Sequence, residues 1–144
     1  NQNWEPNIQR NTFLGRGLAS STSRSSSLRS IRIHYEYLDL GMNSTQEAQF
    51  KDEVMSAADN FFTNALSVYP VSGNLIIGID DCNTVQIPSD HKKTGVDADY
   101  ILYIFGNKSA ENFIARAGAC AIETGGKNNP VAGSFEVNLN YFWK

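Results

Sequence analysis

From Ile31 to Tyr37 the chain alternates Ile31, Ile33, Tyr35 and Tyr37 with Arg32, His34 and Glu36, the two-residue period of a strand with one buried face. The next period is helical. Phe50, Val54, Ala57, Phe61 and Ala65 recur at spacings that stack them along one side of a helix. Ser44, with Glu47 three positions on, has the form of a capping box. The helix is therefore predicted from about Thr45 to Ser67, ahead of the breakers Pro70 and Gly73. Leu75–Ile79, closed by Asp80-Asp81, and Val85–Ile87, ended by Pro88, are short apolar runs that predict strands. Asp99–Phe105 is apolar on both faces, as a central strand covered on both sides must be. Val131, Gly133, Phe135, Val137 and Leu139 alternate again and predict a last strand.

Two stretches resist this reading. The alanines of Glu111–Glu123 favour helix, while Gly118 weakens either assignment, so propensity alone leans to helix. Ser20–Ser27 is almost entirely Ser, Thr and Arg, with too little apolar content to offset the entropy of ordering. Residues 1–30 accordingly read as a flexible Ser-rich tail, with Trp4 and Phe13 as isolated aromatics that could anchor its start, and residues 31–144 as the folded unit. Strand, helix and then several strands, with no internal repeat, make the fold class α+β: a mixed, twisted β-sheet with one long helix packed on it.

Composition narrows the partners. A chain of 144 residues fits one domain. Its net charge of -3, with 12 scattered basic residues, excludes the phosphate-tracking stripe of a nucleic-acid surface. No apolar run approaches the roughly 18 residues that a membrane span needs. Asn43-Ser44-Thr45 and Asn107-Lys108-Ser109 are N-glycosylation triplets in segments that read as exposed loops. Together with the two cysteines they point to an extracellular or cell-surface protein.

The search for catalytic chemistry is mostly negative. His34 and His91 are the only histidines, one on the polar face of a strand and the other in a loop after Pro88, and no His-Glu-x-x-His helix is present. They read as structural or solvated, and the expected metal-ligand set of this chain is empty. Asp80, Asp81, Asp90, Asp97 and Asp99 lack the spacing of a calcium loop and read as turn formers and strand caps. No Gly-x-Ser-x-Gly elbow is present, and Gly15-Arg16-Gly17 lacks the strand-turn-helix context of a phosphate loop. Cys82 and Cys120 lack redox spacing and fit a structural disulfide. Such a bond would pin Glu111–Glu123 beside the sheet and make an extended edge strand easier to accept there than a free helix.

An ordered set of motifs is more specific than any of these pieces. Asp81-Cys82, Ile87-Pro88, His91, Ala98–Ile104, Ala115–Cys120, Pro130–Gly133 and Asn138 follow one another as they do in leishmanolysin-type surface zinc endopeptidases. Leu28–Ile33 also resembles the first strand of the mature protease. The resemblance runs from about residue 28 to the end and is firmest over Asp81–Asn140; the middle helix matches in position only. It implies a metzincin-like N-terminal subdomain in which Cys82 pairs with Cys120. It also implies that Phe113–Ile122 is an antiparallel edge strand forming one wall of a peptide cleft. The backbone of Ile114, Ala115, Arg116, Ala117, Gly118 and Ala119 would pair there with an extended substrate.

In that family a His-Glu-x-x-His helix follows shortly after the last strand, whereas this sequence runs only to Trp143-Lys144. No catalytic residue can be carried over, and no cysteine precedes Cys82 to serve as a zinc-blocking pro-segment residue. The expectation is an N-terminal fragment of a secreted or cell-surface zinc metalloendopeptidase. Zinc belongs to the completed protein and not to this chain, and residues 1–30 are at most the end of a pro-segment. The implied partners are the remainder of the peptidase domain and an extended peptide or protein substrate. The alternative is a non-catalytic surface or assembly protein that keeps the sheet as a binding module and adds its edge to neighbouring chains, supported by the missing site and the aromatic end Tyr141-Phe142-Trp143. A free-standing small-molecule binding domain rests on generic fold alone.

Overall fold

The computed structural model describes residues 18–19, 23–124 and 128–143. Most of the proposed tail, with Trp4, Phe13 and Gly15–Gly17, lies outside these residues. In chain order the elements are β1 (Leu18–Ala19), β2 (Arg29–Ser30), β3 (Ile33–Tyr37), α1 (Ser44–Gln49), a π-helical turn (Phe50–Met55) and α2 (Ser56–Ala65). There follow β4 (Ser67–Val68), β5 (Asp81–Cys82), β6 (Val85–Gln86), α3 (Ser89–Lys93), β7 (Tyr100–Asn107), β8 (Ala115–Glu123) and β9 (Pro130–Asn138). The α+β class holds: a mixed sheet of order β1-β8-β9-β7-β3 carries one long helical run on one face.

β7 lies between β3 and β9 and is parallel to both, in register from Ile33 opposite Tyr100 and from Ile101 opposite Ala132. Its double-faced apolar composition fits that central place. β9 is central too and is buried on both faces from Val131 to Ser134, where strict alternation predicted one solvated face. Two apolar layers explain the difference. Leu75, Ile77, Cys82, Ile87, Ile101, Tyr103 and Val131 pack on one side of the sheet, and Phe50, Met55, Ile104 and Val137 on the other. Phe142 and Trp143 join the second layer, with the Phe142 ring 5.6 Å from that of Phe50. The aromatic end therefore packs within this chain.

The helix begins one residue before its predicted start and turns a different face inward. Asn43, not Ser44, is the N-cap: its Oδ1 accepts the Gln46 amide at 2.9 Å, and the Gln46 side chain accepts the Asn43 amide at 3.2 Å. Beyond Phe50 the predicted stripe fails. Phe61 is 65% exposed, whereas Met55 is buried and Asp59 meets the Tyr35 hydroxyl at 2.9 Å. The π-helical turn is the cause, because its wider winding rotates every later residue relative to α-helical spacing.

One strand assignment changes, and the ambiguous Glu111–Glu123 segment takes its extended form. Leu75–Ile79 forms no ladder; Leu75 makes a single bridge to Val96, and Ile77 donates its amide to the His91 carbonyl at 3.0 Å. Its alternation is real, since Leu75 and Ile77 are buried, but it packs as an irregular segment under the sheet. Glu111–Glu123 becomes strand β8 from Ala115 onward, against its helical propensity, because β9 pairs with it antiparallel from Ala115 opposite Val137 to Ile122 opposite Pro130. Cys120 sits at the irregularity of that ladder and is joined to Cys82 of the β5–β6 hairpin, with Cα atoms 5.1 Å apart.

Residues near the start of the chain also make contacts. β2 pairs antiparallel with β4, and the Arg24 Nε donates to Glu123 at 2.7 Å. The Ser25 amide donates to the Pro70 carbonyl at 2.8 Å.

Candidate functional site

β8 is an edge strand over part of its length. β1 lies parallel to its far end, at Ile122 and Glu123, and among the described residues no strand pairs with the outer side of Ala115–Ala119. Ile114 precedes the strand and its carbonyl accepts the Asn138 amide at 2.9 Å, so that carbonyl is already committed to the fold. Arg116 is fastened sideways: Nε donates to Glu136 at 2.6 Å and a terminal nitrogen to Glu111 at 2.8 Å, with the guanidinium over the Phe113 ring. These partners, the Glu136 hydrogen bond first, raise its pKa further and keep it charged. On the disulfide side, Asn83 Nδ2 donates to the Gly118 carbonyl at 3.3 Å and to Ser134 Oγ at 2.6 Å. Apart from Arg116 the stretch is small in side chain and is braced from behind, and among the described residues no strand covers its outer backbone edge.

An apolar groove of about 1080 Å³ runs beside it, between the sheet and the helix. Ile33, Tyr35, Tyr100, Leu102, Phe135 and Ala117 form its floor, and Val54, Met55, Ala58, Phe62 and Leu66 its wall. Val54, Phe62 and Leu66 are 39%, 43% and 44% exposed, an unusual concentration of large apolar side chains on one wall. Burial, followed by the Asp59 hydrogen bond, pushes the Tyr35 phenol well up, and burial alone raises that of Tyr100. Sequence reading missed the groove because the π-helical turn, invisible in periodicity, decides which helical residues face it.

The two histidines, 57 positions apart in sequence, meet in space. His91 lies in α3, not in a loop, and is only 4% exposed. Its ring centroid is 5.6 Å from that of His34. Glu36 Oε2 stands 2.9 Å from His34 Nε2 and 3.4 Å from His91 Nε2, and His91 Nδ1 is 3.0 Å from the Tyr103 hydroxyl. The signal for half of this cluster was present, since His34 and Glu36 share a strand face. Nothing in the sequence placed His91 against them.

The aspartates do not converge on a site. Asp80 pairs with Lys92 at 2.8 Å, while Asp97 and Asp99 both engage Arg32, so the chain's own cations already neutralise them. Asn43 is exposed and uses its oxygen for capping, which leaves its amide nitrogen out of that bond. Asn107 ends β7, with its amide nitrogen donating to the buried Glu136 at 3.1 Å. No helix among the described residues is long and apolar enough to cross a membrane.

Residues 42–142 match the sequence model of the leishmanolysin peptidase family. That span holds the helix, the disulfide hairpin, both cysteines and the three strands β7 to β9. No curated protein matches the chain.

Proposed function

This chain belongs to the leishmanolysin family of metallopeptidases, and from that premise we propose that it forms the sheet and one wall of the peptide-binding cleft of a secreted or cell-surface zinc endopeptidase. The observation that carries the reading is the outer edge of Ala115–Ala119, with which no strand pairs among the described residues. An extended peptide adding there gains main-chain hydrogen bonds without needing a particular side chain, and the small residues of the strand keep the approach open. Of the six residues expected to serve, Ala115, Arg116, Ala117, Gly118 and Ala119 lie in β8; Ile114 lies just outside it.

The family's zinc requires two histidines one helical turn apart on a helix. His34 on β3 and His91 on α3 do not form such a pair, so the peptidase zinc is assigned to residues outside this sequence. In this reading the zinc-bearing segment of the completed protein covers the apolar groove, whose exposed Val54, Phe62 and Leu66 resemble a domain core cut open. The alternative, an assembly module joined edge to edge, loses one of its two supports because Phe142 and Trp143 pack inside the chain.

Hydrogen exchange on the protein carrying its zinc-binding segment tests the cleft wall. A non-cleavable extended peptide at 100 times its Kd is expected to slow exchange at outward-facing amides of Ala115–Ala119 by up to about 100-fold. Unchanged exchange there, with protection elsewhere, overturns the assignment. Peptide turnover by these 144 residues alone would overturn it as well.

Passage through a secretory pathway carries its own expected result. Asn43 is the better glycan acceptor, because capping uses its oxygen and leaves the nitrogen exposed, whereas Asn107 must give up part of its bond to Glu136. Glycosidase-sensitive mass should disappear in Asn43→Gln and persist in Asn107→Gln.

A further inference from the structure

We propose that His34, Glu36 and His91 form a binding site for a zinc-class divalent transition-metal ion. Nothing in this inference rests on the peptidase reading. The three donor atoms lie within 4.8 Å of one another. Tetrahedral zinc with bonds of about 2.0–2.1 Å sets neighbouring donors roughly 3.3 Å apart. The separations already present, 2.9 Å for His34 Nε2 to Glu36 Oε2 and 3.4 Å for His91 Nε2 to the same oxygen, bracket that value. The two imidazole donors lie within 4.8 Å of each other, so binding one ion requires side-chain rotation that draws them toward that spacing.

The scaffold is suited to holding them. His34 and Glu36 sit two apart on β3, so strand geometry aims both at the same side of the sheet. β3 is fixed along its length by β7, and the residues opposite His34 and Glu36 are the buried Ile101 and Tyr103. α3 brings His91 down onto that side, where Tyr103 engages its Nδ1 and leaves Nε2 as the nitrogen facing the carboxylate. A hydrogen bond on the far ring nitrogen is the outer support that metal-ligating histidines ordinarily have.

Exposure is graded in the way an accessible site requires. The His91 side chain is 4% exposed, while those of His34 and Glu36 are 37% and 29% exposed. An ion can enter from the His34 side and retain water as its fourth ligand. Two imidazoles and one carboxylate suit zinc, cobalt or nickel over calcium or magnesium, which prefer all-oxygen shells. The bound ion would cross-link β3 to α3 and thereby fasten the irregular Leu75–Ile79 segment, which α3 already holds through the His91 carbonyl.

Titration of the untagged chain with cobalt(II) chloride, followed by visible absorption, and with zinc chloride by calorimetry tests the site. One equivalent is expected to bind, with the intense visible bands of four-coordinate cobalt and a raised unfolding temperature. Only two histidines are present, so imidazole nitrogen resonances report the ligands directly. His34→Ala and Glu36→Gln, both partly exposed, should each weaken binding more than about tenfold, and Tyr103→Phe by about 10–100-fold. His34→Ala keeps the test open should a His91 variant fail to fold. Absence of saturable binding at one equivalent, or affinity unchanged in His34→Ala, overturns the site and leaves the cluster a hydrogen-bonded brace. Neither result touches the exchange experiment on β8, so the two readings fail separately.

Discussion

Replacing both Cys82 and Cys120 by alanine is expected to lower the unfolding free energy by about 4 kcal/mol, read from urea unfolding of the wild-type chain and the double variant. The bond closes a loop with a sequence separation of 38, and the chain-entropy relation gives roughly that value for a loop of this size. Position makes the loss more than a global one. Cys82 belongs to a two-stranded hairpin outside the main sheet, and Cys120 to the irregular part of β8. Beyond the bond, the Asn83 contacts to Gly118 and Ser134 tie these elements together. Among the described residues, β8 has a strand on one side only from Ala115 to Ala119, namely β9. Without the disulfide its amides should exchange faster than those of β7, which is flanked on both sides. A loss below about 1 kcal/mol would mean that β9 alone holds β8, and the strand would be less rigid as a cleft wall than proposed.

The elements most legible in the sequence were those whose neighbours impose a simple period. β7 declared its central place by being apolar on both faces, and β3 its single buried face by alternation. Legibility fell where backbone chemistry competes locally. At the helix start, Asn43 and Ser44 are both good caps, and Asn43 with Gln46 completes a reciprocal pair that Ser44 with Glu47 does not. Within the helix, the π-helical turn shifted the buried face from the predicted Val54, Ala57 and Phe61 toward Met55 and Asp59. No propensity scale carries that event. For β8, alanine content argued for helix, and pairing with β9 together with the disulfide prevailed. It is the facing strand that demands a small residue: a Cβ on Gly133 of β9 would clash with the Tyr100 hydroxyl and come within 2.8 Å of the Gly118 carbonyl oxygen.

The candidate site divides along the same line. The edge-strand residues could be named in advance because an ordered set of motifs resembled a known family. The His34, Glu36 and His91 cluster could not, because it depends on where a five-residue helix lands after an irregular segment. Both features sit on one sheet, at its two ends: β8 with its short β1 neighbour on one side, β3 on the other. β7 holds the β3 end along its length, and just before its first residue a single carboxylate adds a further anchor.

Asp99→Ala is accordingly expected to cost about 3 kcal/mol at neutral pH, the low end for removing one partner of a buried ion pair, since Arg32 stays partly solvated. The Asp99 side chain is 1% exposed and that of Arg32 41%. Its Oδ2 accepts the Arg32 amide at 2.9 Å and Arg32 Nε at 3.1 Å; its Oδ1 accepts a terminal Arg32 nitrogen at 3.0 Å and the Val71 amide at 2.6 Å. One carboxylate thereby joins the start of β3, the start of β7 and the segment leading to Leu75. Alanine would leave the buried Val71 amide without this acceptor, a penalty that repacking cannot remove. Burial by itself would push the Asp99 carboxyl up, but the hydrogen bonds from Arg32 and from the Val71 and Arg32 amides outweigh it and hold the group below the ordinary carboxylate range. A carboxyl depressed in the folded state adds stability that is complete above its unfolded pKa, about 3.9, and is lost as pH falls through the lower folded value. Wild-type stability should therefore decline below about pH 4 with a contribution that Asp99→Asn lacks. Urea unfolding at pH 7 and pH 3 reads this directly: the gap between wild type and Asp99→Asn should be wide at pH 7 and narrower at pH 3. An unchanged gap would mean that geometry, and not the charge of Asp99, anchors this end of the sheet.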